Sequence, residues 1–283
     1  MDIAVSLPEL RDRRKALSGT LGLVPTMGFL HEGHLSLVRI ARQRCDHVAA
    51  SIYVNPTQFS PSEDLSSYPR DLERDLSLLD AEGVDLVWTP RDEDMYPEGF
   101  QTWVEVGEIT KLLEGSYRPT HFRGVTTVVT KLFLAFMPDV AVFGQKDAQQ
   151  ALVVQRMVRD LHFPIEIIVA PIMRDSDGLA LSSRNTYLSK EERHAACVLH
   201  RSLLEAEAAF HKGERNADVL RERVLSILSD EPLAKTQYVS VADPHTLEER
   251  HGKTDRVLIS IAVYVGRTRL IDNMLLGMDT LAI

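Results

Sequence analysis

Cysteine is nearly missing from this chain of 283 residues. Only Cys45 and Cys197 occur, too few and too isolated for a disulfide framework or a zinc knuckle, and a reducing compartment fits that scarcity. Long apolar runs are missing as well. None approaches the roughly 20 residues needed to span a bilayer, and the opening MDIAVSLPELRDRRKAL turns polar too early for a signal-peptide core. The expectation is a cytoplasmic protein with no membrane partner. Positive charge is in deficit too: 41 Asp and Glu outweigh 32 Lys and Arg, for a formal net charge of -9. Nucleic-acid-binding surfaces are normally basic, so no nucleic-acid partner is expected, although a small basic pocket for an anionic substrate is allowed. A basic residue inside a glycine-rich motif therefore carries more weight than usual. No repeat, low-complexity tract or heptad run is visible, which removes solenoids and coiled coils.

What is present is the makeup of a globular protein. Hydrophobic residues are 44% and charged residues 26% of the chain, and the length suits two domains. Apolar runs at 21–24, 47–54, 84–88, 140–143 and 165–169 read as strands. Between them, helical spacing predicts helices over 33–44, 72–82, 124–137 and 148–161. This β-α-β-α order predicts an α/β fold, a mostly parallel sheet covered on both faces in a Rossmann-like layout. After Pro171 the texture changes. Residues 174–185 are polar and turn-rich, and Ser189 to Glu192 has the form of a capping box opening a long helix over 190–211. A helix at 217–228, strands at 237–241 and 257–265, and a short strand around 269–271 complete a smaller α+β domain. The predicted division is 1–172 for a nucleotide- and substrate-binding domain and 173–283 for a C-terminal lid domain.

Four clusters carry candidate chemistry. The first is PTMGFLHEGH at 25–34, where an apolar strand passes through glycine into a helix predicted to begin at His34. A helix start has unpaired N-H groups and partial positive charge, so it favours phosphate, and Gly28 and Gly33 let a ligand approach the backbone. His31 and His34 would face that phosphate. A metal pair is the alternative, but helical metal pairs usually sit four apart and no third ligand is evident. Asn55, Pro56, Thr57, Gln58 and Phe59 follow the next strand and offer two amides to a small polar substrate, where an ordinary Asn-Pro turn is the competing reading. The third cluster, FGQKDAQQ at 143–150, again joins strand to helix. Gly144 would let a ribose lie against backbone, Asp147 would accept from ribose hydroxyls or simply cap the helix, Lys146 would meet phosphate, and Gln150 would reach substrate. The fourth cluster is Leu181, Ser182, Ser183, Arg184 and Asn185, two hydroxyls and a guanidinium that either close over phosphates or form a solvated linker.

Taken together with YPRDLERDL at 68–76, HFRGVTTVVTKLF at 121–133, RDSDGLALSSRN at 174–185 and RLIDN at 269–273, these motifs resemble the pantothenate synthetase (pantoate–β-alanine ligase) family over nearly the whole length. That family belongs to the HIGH-motif nucleotidyltransferases. Two residues depart from it, Phe29 where a smaller residue is common and Thr57 where methionine is common. The resemblance implies that pantoate and ATP give an enzyme-bound pantoyl adenylate and diphosphate, and that β-alanine then attacks to give pantothenate and AMP. By matched position, Met27, Gly28, Phe29, Leu30, His31, Glu32, Gly33 and His34 would contact ATP, with His34 and His31 catalytic. Gly144, Gln145, Lys146 and Asp147 would hold the nucleotide, Met173 the adenine region, and Leu181, Ser182, Ser183 and Arg184 the phosphates, with Lys146 and Arg184 catalytic. Gln58, Gln150 and Asn55 would bind pantoate and shape the β-alanine site. Mg2+ would come with the ATP phosphates, no metal-ligating residue is implied, and a homodimer is expected. Two rival functions stay open on the residues alone, an enzyme that leaves the adenylyl group on its product and a nucleotide-binding regulator without catalysis. A tRNA synthetase fragment is disfavoured by the acidic composition.

Overall fold

The computed structural model describes residues 1–60 and 63–282. The chain divides into two compact units, Met1–Gly144 with Val153–Ala170, and Gln145–Leu152 with Pro171–Ile283.

The first unit is built on a six-stranded, all-parallel sheet. Its strands are β1 (Asp2–Ala4), β2 (Leu21–Thr26), β3 (His47–Ile52), β4 (Leu86–Trp88), β5 (Val140–Gly144) and β6 (Glu166–Ala170), in the order β1-β4-β3-β2-β5-β6. Helices α1 (Leu7–Ala16), α2 (Glu32–Arg44), α3 (Leu72–Ala81) and α6 (His121–Phe136) alternate with the strands, with two single turns α4 (Asp92–Met95) and α5 (Glu114–Tyr117) before α6. Leu21, Leu23 and Val24 in β2 and Val48, Ala49 and Ala50 in β3 are fully buried, as a parallel strand covered on both faces requires. The β-α alternation read from apolar spacing is therefore the observed architecture.

Strand β2 is the pivot of the sheet. It pairs with β3 along its full length, from Leu21 opposite His47 to Thr26 opposite Ile52. On its other side it pairs with β5 through Gly22 opposite Val140 and Leu23 opposite Ala141. From β2 the chain steps outward through β3 and β4 and then resumes on the opposite side with β5, so strand order reverses between β2 and β5. In open parallel sheets ligands bind outside the carboxyl ends of the strands at such a reversal. The segments leaving those two ends are residues 27–31 and the 3-10 turn Gln145–Asp147.

Several boundaries differ from expectation. The helix predicted from Gly124 begins already at His121, and it ends at Phe136 because Met137 turns left-handed (φ 47°) ahead of Pro138. The charged N-terminal stretch has no predicted element. It folds into β1 and α1, the latter capped by Ser6, and sends Arg14 across to α6. There Arg14 Nε donates to the Phe136 carbonyl at 2.9 Å and Nη2 to that of Met137 at 3.3 Å, covering carbonyls that a helix end leaves unpaired.

The second unit contains α8 (Lys190–Ala195), α9 (Val198–His211), α10 (Ala217–Ser229) and an antiparallel sheet β7-β8-β9 (Ala234–Ala242, Val257–Val265, Thr268–Leu276). Helix α7 (Ala148–Asp160) starts within this unit and ends within the first. The capping box at Ser189 and Glu192 is present, but the single helix expected over 190–211 is broken at Ala196 and Cys197. The short strand expected at 269–271 is the middle of the nine-residue β9. Leu199, Leu203 and Phe210 of α9 and Leu220, Val224 and Leu228 of α10 share one buried core with Ile259, Ile261 and Val263 of β8. Among the described residues, no helix is long and apolar enough to cross a membrane.

Arg14→Ala should lower the unfolding free energy by about 1–3 kcal/mol, the usual worth of part-buried hydrogen bonds from a charged donor. Urea unfolding at pH 7 measures it, and a loss concentrated at the end of α6 should appear as faster amide exchange there.

Candidate active site

Beyond Thr26 the chain leaves β2 through Gly28 (φ 80°) and Phe29 (φ 50°). Two consecutive left-handed residues are unusual, and a phenylalanine in that region is strained by roughly 1–2 kcal/mol. The compensation comes from α3. Asp75, only 1% exposed, accepts the Phe29 N-H on Oδ2 at 2.6 Å and the Leu30 N-H on Oδ1 at 2.7 Å. Its neighbour Arg74 donates from Nη1 to the Leu30 carbonyl at 3.0 Å and lies 5.5 Å from the centre of the Phe29 ring. The ring is thus a cation-π partner, which gives a physical role to one of the two departures from the family pattern. Burial pushes the Asp75 carboxyl upward, and the two backbone donors and Arg74 oppose that push.

Helix α2 begins at Glu32, two residues ahead of expectation, because His31 is its N-cap. The cap was missed because histidine is not among the usual capping residues. His31 Nδ1 accepts the Gly33 N-H at 3.2 Å, and His34 Nδ1 accepts the His31 N-H at 3.3 Å, a reciprocal box made of two imidazoles. Their ring centres are 4.0 Å apart. A backbone N-H can only donate, so both Nδ1 atoms are acceptors and the neutral rings carry their proton on Nε2. Each histidine therefore carries its donor on Nε2, at the positive end of a helix. Among the described residues, no group of three His, Cys, Asp or Glu could hold a metal ion.

The turn after β3 is a second prearranged element. Asn55, 1% exposed, caps the 3-10 turn Pro56–Gln58. Its Oδ1 accepts from the Thr57 N-H, the Thr57 hydroxyl at 2.9 Å and the Tyr96 hydroxyl at 2.8 Å. Those donors settle which end of the amide is oxygen. Nδ2 then donates to Gln58 Oε1 and to the Gly124 carbonyl, both at 3.1 Å. Gln58 Nε2 is left as the donor end, 3.0 Å from the Met27 sulfur. Thr57, the other departure, thus supplies a hydroxyl to this cluster.

Helix α6 presses against the same turn through Gly124, where a Cβ would stand 2.5 Å from the Thr57 carbonyl oxygen. Below it, Arg118 grips Glu63 through Nε and Nη2 at 2.6 and 2.8 Å and donates to the Gln58 carbonyl at 3.2 Å. Arg118 also donates to His121 Nε2 at 3.3 Å, so His121 must carry its proton on Nδ1, which donates to the Gln58 carbonyl at 2.8 Å. Burial first, and the Arg118 charge second, depress the His121 pKa to about 4.

The remaining predicted residues lie at the end of β5, in the turn and helix that follow it, and in the hairpin and turn of residues 173–184. Lys146 sits in the turn Gln145–Asp147 with Nζ 3.8 Å from Asp147 Oδ2, and Gln150 follows as the third residue of α7. A Cβ at Gly144, the last residue of β5, would meet nothing within 4 Å, so packing does not demand that glycine. Residues 173–181 form a tight hairpin closed by the Leu181 N-H on the Met173 carbonyl at 2.9 Å and the Asp175 N-H on the Leu179 carbonyl at 2.9 Å. Ser182 caps the 3-10 turn Ser183–Tyr187 that carries Arg184. The segment is folded rather than a solvated linker.

The residues that sequence reasoning passed over are Arg74, Asp75, Tyr96, Arg118 and His121. Arg74, Asp75 and His121 lie inside quoted motifs, and the signal that would have marked Asp75 and His121 is an ionisable residue falling on the buried side of a helix, whereas Arg74 is exposed and carries no such mark.

A parallel sheet whose switch point opens on a glycine turn, a pair of donor imidazoles and a helix N-terminus defines an α/β enzyme that handles nucleotides. Comparison with known proteins narrows the class. The Pantoate-beta-alanine ligase family model matches residues 2–275. A pantothenate synthetase from a Roseiflexus species is 58% identical over 276 residues, 98% of this chain and 99% of that protein. The crystal structure of pantothenate synthetase from Thermus thermophilus superimposes with a TM-score of 0.92 at 47% identity, covering 97% of this chain and 99% of that one. Pantoate-beta-alanine ligase from Francisella tularensis, solved in complex with beta-gamma ATP and β-alanine, matches at a TM-score of 0.81 and 33% identity over 100% of both chains. The chain belongs to the pantoate–β-alanine ligase family, and it is an enzyme of the ligase class that condenses pantoate with β-alanine.

Asp75→Asn replaces one acceptor with a donor facing a backbone N-H. It should destabilise the protein by about 1–3 kcal/mol and raise the KM for ATP more than that for β-alanine, as measured by urea unfolding and steady-state kinetics. His121 sets a pH dependence of stability. Its folded pKa of about 4 lies below the unfolded value of about 6.5, so the unfolded chain binds the proton first as pH falls. Stability is complete above the unfolded pKa and is lost between there and about 4, by roughly 3 kcal/mol in total. Urea unfolding from pH 7.5 to 4 should show that slope, and His121→Leu should flatten it.

Proposed function

We propose that the chain catalyses the two-step, ATP-dependent synthesis of pantothenate, with the histidine pair at the start of α2 as its centre of charge stabilisation. The observation that carries this reading is the fixed tautomer of His31 and His34, whose Nδ1 atoms are occupied by backbone donors. In the first step a pantoate carboxylate oxygen bonds to the α-phosphorus of ATP, the bond from that phosphorus to the bridging oxygen breaks, and diphosphate leaves. The carboxylate is already deprotonated, so the step needs no base. It needs donors and cations for the charge that collects on the phosphates, and the two Nε2-H groups, the α2 N-terminus, Lys146 and Arg184 supply them. In the second step the neutral amine of β-alanine attacks the acyl carbon, the bond to the AMP oxygen breaks, and the ammonium so formed loses a proton to solvent.

The amide of Gln58 holds pantoate, and Asn55, whose own polar atoms are engaged by protein, orients that amide. Gln150 binds the same substrate. Gly144 to Asp147 receive the ribose, an assignment supported by the open space at Gly144. Met173 lies toward the adenine, and Leu181, Ser182 and Ser183 line the phosphates as a lid that keeps water from the adenylate. Mg2+ would come with the triphosphate, since it commonly rides on substrate phosphates and water rather than an all-protein cage, and would neutralise phosphate charge there. The working protein is a cytoplasmic homodimer.

His34→Ala and Lys146→Ala should each lower pantoate-dependent exchange of labelled diphosphate into ATP by about 100-fold or more, the scale set by loss of one donor to a developing anion. AMP release should require β-alanine. Exchange at the wild-type rate in both variants would overturn the assignment, and AMP release indifferent to β-alanine would favour an adenylyl group kept on the product.

A further inference from the structure

The motif RLIDN at 269–273 is the one segment of family resemblance to which no chemistry has been attached. It lies in β9, and successive residues of a strand point to opposite sides. Asp272 and Asn273 are 2% and 3% exposed, and both are fully engaged.

Asn273 reaches the turn Gln145–Asp147. Its Nδ2 donates to the Gln145 carbonyl at 2.8 Å and to the Lys146 carbonyl at 3.0 Å, and its Oδ1 accepts from Gln145 Nε2 at 3.2 Å. These two carbonyls belong to the two peptide planes flanking the Lys146 Cα. Holding both planes fixes φ and ψ of Lys146 together, and with them the direction in which its side chain leaves the backbone. Only a primary amide brings two hydrogens on one atom and an acceptor beside them. An aspartate has no donor, and a serine has a single hydrogen.

Asp272 faces the hairpin instead. It receives Arg174 in a bidentate pair at 2.6 and 3.0 Å, while Arg174 Nη1 also donates to the Gly178 carbonyl at 3.1 Å. Arg174 stands opposite Ala180 in the hairpin, immediately before residues 181–184. Asp272 Oδ1 further accepts the backbone N-H of Asn273 at 2.8 Å, which fixes the carboxylate against its own strand.

We propose that Asp272 and Asn273 are positioning residues for the adenylation step: consecutive side chains of β9 that hold the Lys146 turn and the Ser182-Ser183-Arg184 segment to one strand, so that the cationic groups of this unit keep a fixed mutual geometry. Neither residue touches substrate. This inference rests on the reading of Lys146 as a phosphate-stabilising charge.

The test is a double-mutant cycle on diphosphate exchange with Asn273→Asp, which preserves shape and removes both donors, and Lys146→Ala. Asn273→Asp is expected to lower the exchange kcat by about 10- to 100-fold, the cost of about an ångström of misplacement, with the KM for pantoate within about twofold. In the Lys146→Ala background the same substitution should matter by less than about threefold, because the group it positions is gone. Asn273→Asp at the wild-type rate, or an equal loss in both backgrounds, overturns the proposal. Lys146→Ala at the wild-type rate overturns the underlying reading of Lys146 instead. Should Asn273→Asp fail to fold, as near-ultraviolet circular dichroism would reveal, Asn273→Ser takes its place as a neutral, smaller variant. It should show a partial loss with the same suppression in the Lys146→Ala background.

Discussion

Two hydrogen bonds from the peptide groups of Phe29 and Leu30 to the buried carboxylate of Asp75 hold the turn that carries the first unit's chain from β2 into α2. A left-handed phenylalanine is disfavoured by about 1–2 kcal/mol, whereas each bond to a charged acceptor contributes about 1.5–3 kcal/mol. The bonds win, and the chain leaves β2 in a direction that most sequences would avoid. Only with that exit does His31 arrive at the cap position of α2 and His34 fold back onto its N-H. The burial of Asp75 has its own desolvation cost, visible in the upward push on its carboxyl.

The rest of the first unit's site follows from groups whose direction of donation has no freedom. A guanidinium can only donate, so Arg118 makes His121 Nε2 an acceptor and His121 Nδ1 a donor to Gln58. A backbone N-H can only donate, so Thr57 fixes the oxygen of Asn55, and Asn55 fixes the oxygen of Gln58. Each assignment forces the next until Gln58 presents its NH2 end. Such arrangements cost no reorganisation when substrate charge changes, which is where electrostatic catalysis draws its advantage.

How much of this was legible in the sequence depends on the kind of signal. The parallel sheet was readable because β2 and β3 are mostly apolar, and the switch-point motifs because glycine and histidine mark them. β1 was not, since three residues carry no periodicity, and α1 was not, since Leu10 is its one buried position. The break at Ala196 and Cys197 escaped because the apolar spacing continues through it. Asp75 and His121 were quoted within their motifs but given no part. In one dimension a carboxylate in an amphipathic helix reads as solvated surface, and only the fold shows that it lies beneath a turn 45 residues away.

The acidic composition bears on the choice of cations. In the second unit Arg174 is committed to Asp272, and Arg193 to Asp175 and Asp177. These guanidiniums brace loops, and a motif rich in arginine would by itself have suggested more phosphate-binding charge than the fold offers. Lys146 stands 3.8 Å from Asp147, at the long end of an ion pair, on a turn whose peptide planes are held by a neutral amide rather than by a carboxylate. A neutral anchor adds no second carboxylate to Asp147 beside the ammonium, whereas an aspartate at position 273 would have weakened its field further. The same strand thus gives the arginine that builds the hairpin a carboxylate and the Lys146 turn a neutral amide, and the one-residue alternation between Asp272 and Asn273 separates those two outcomes.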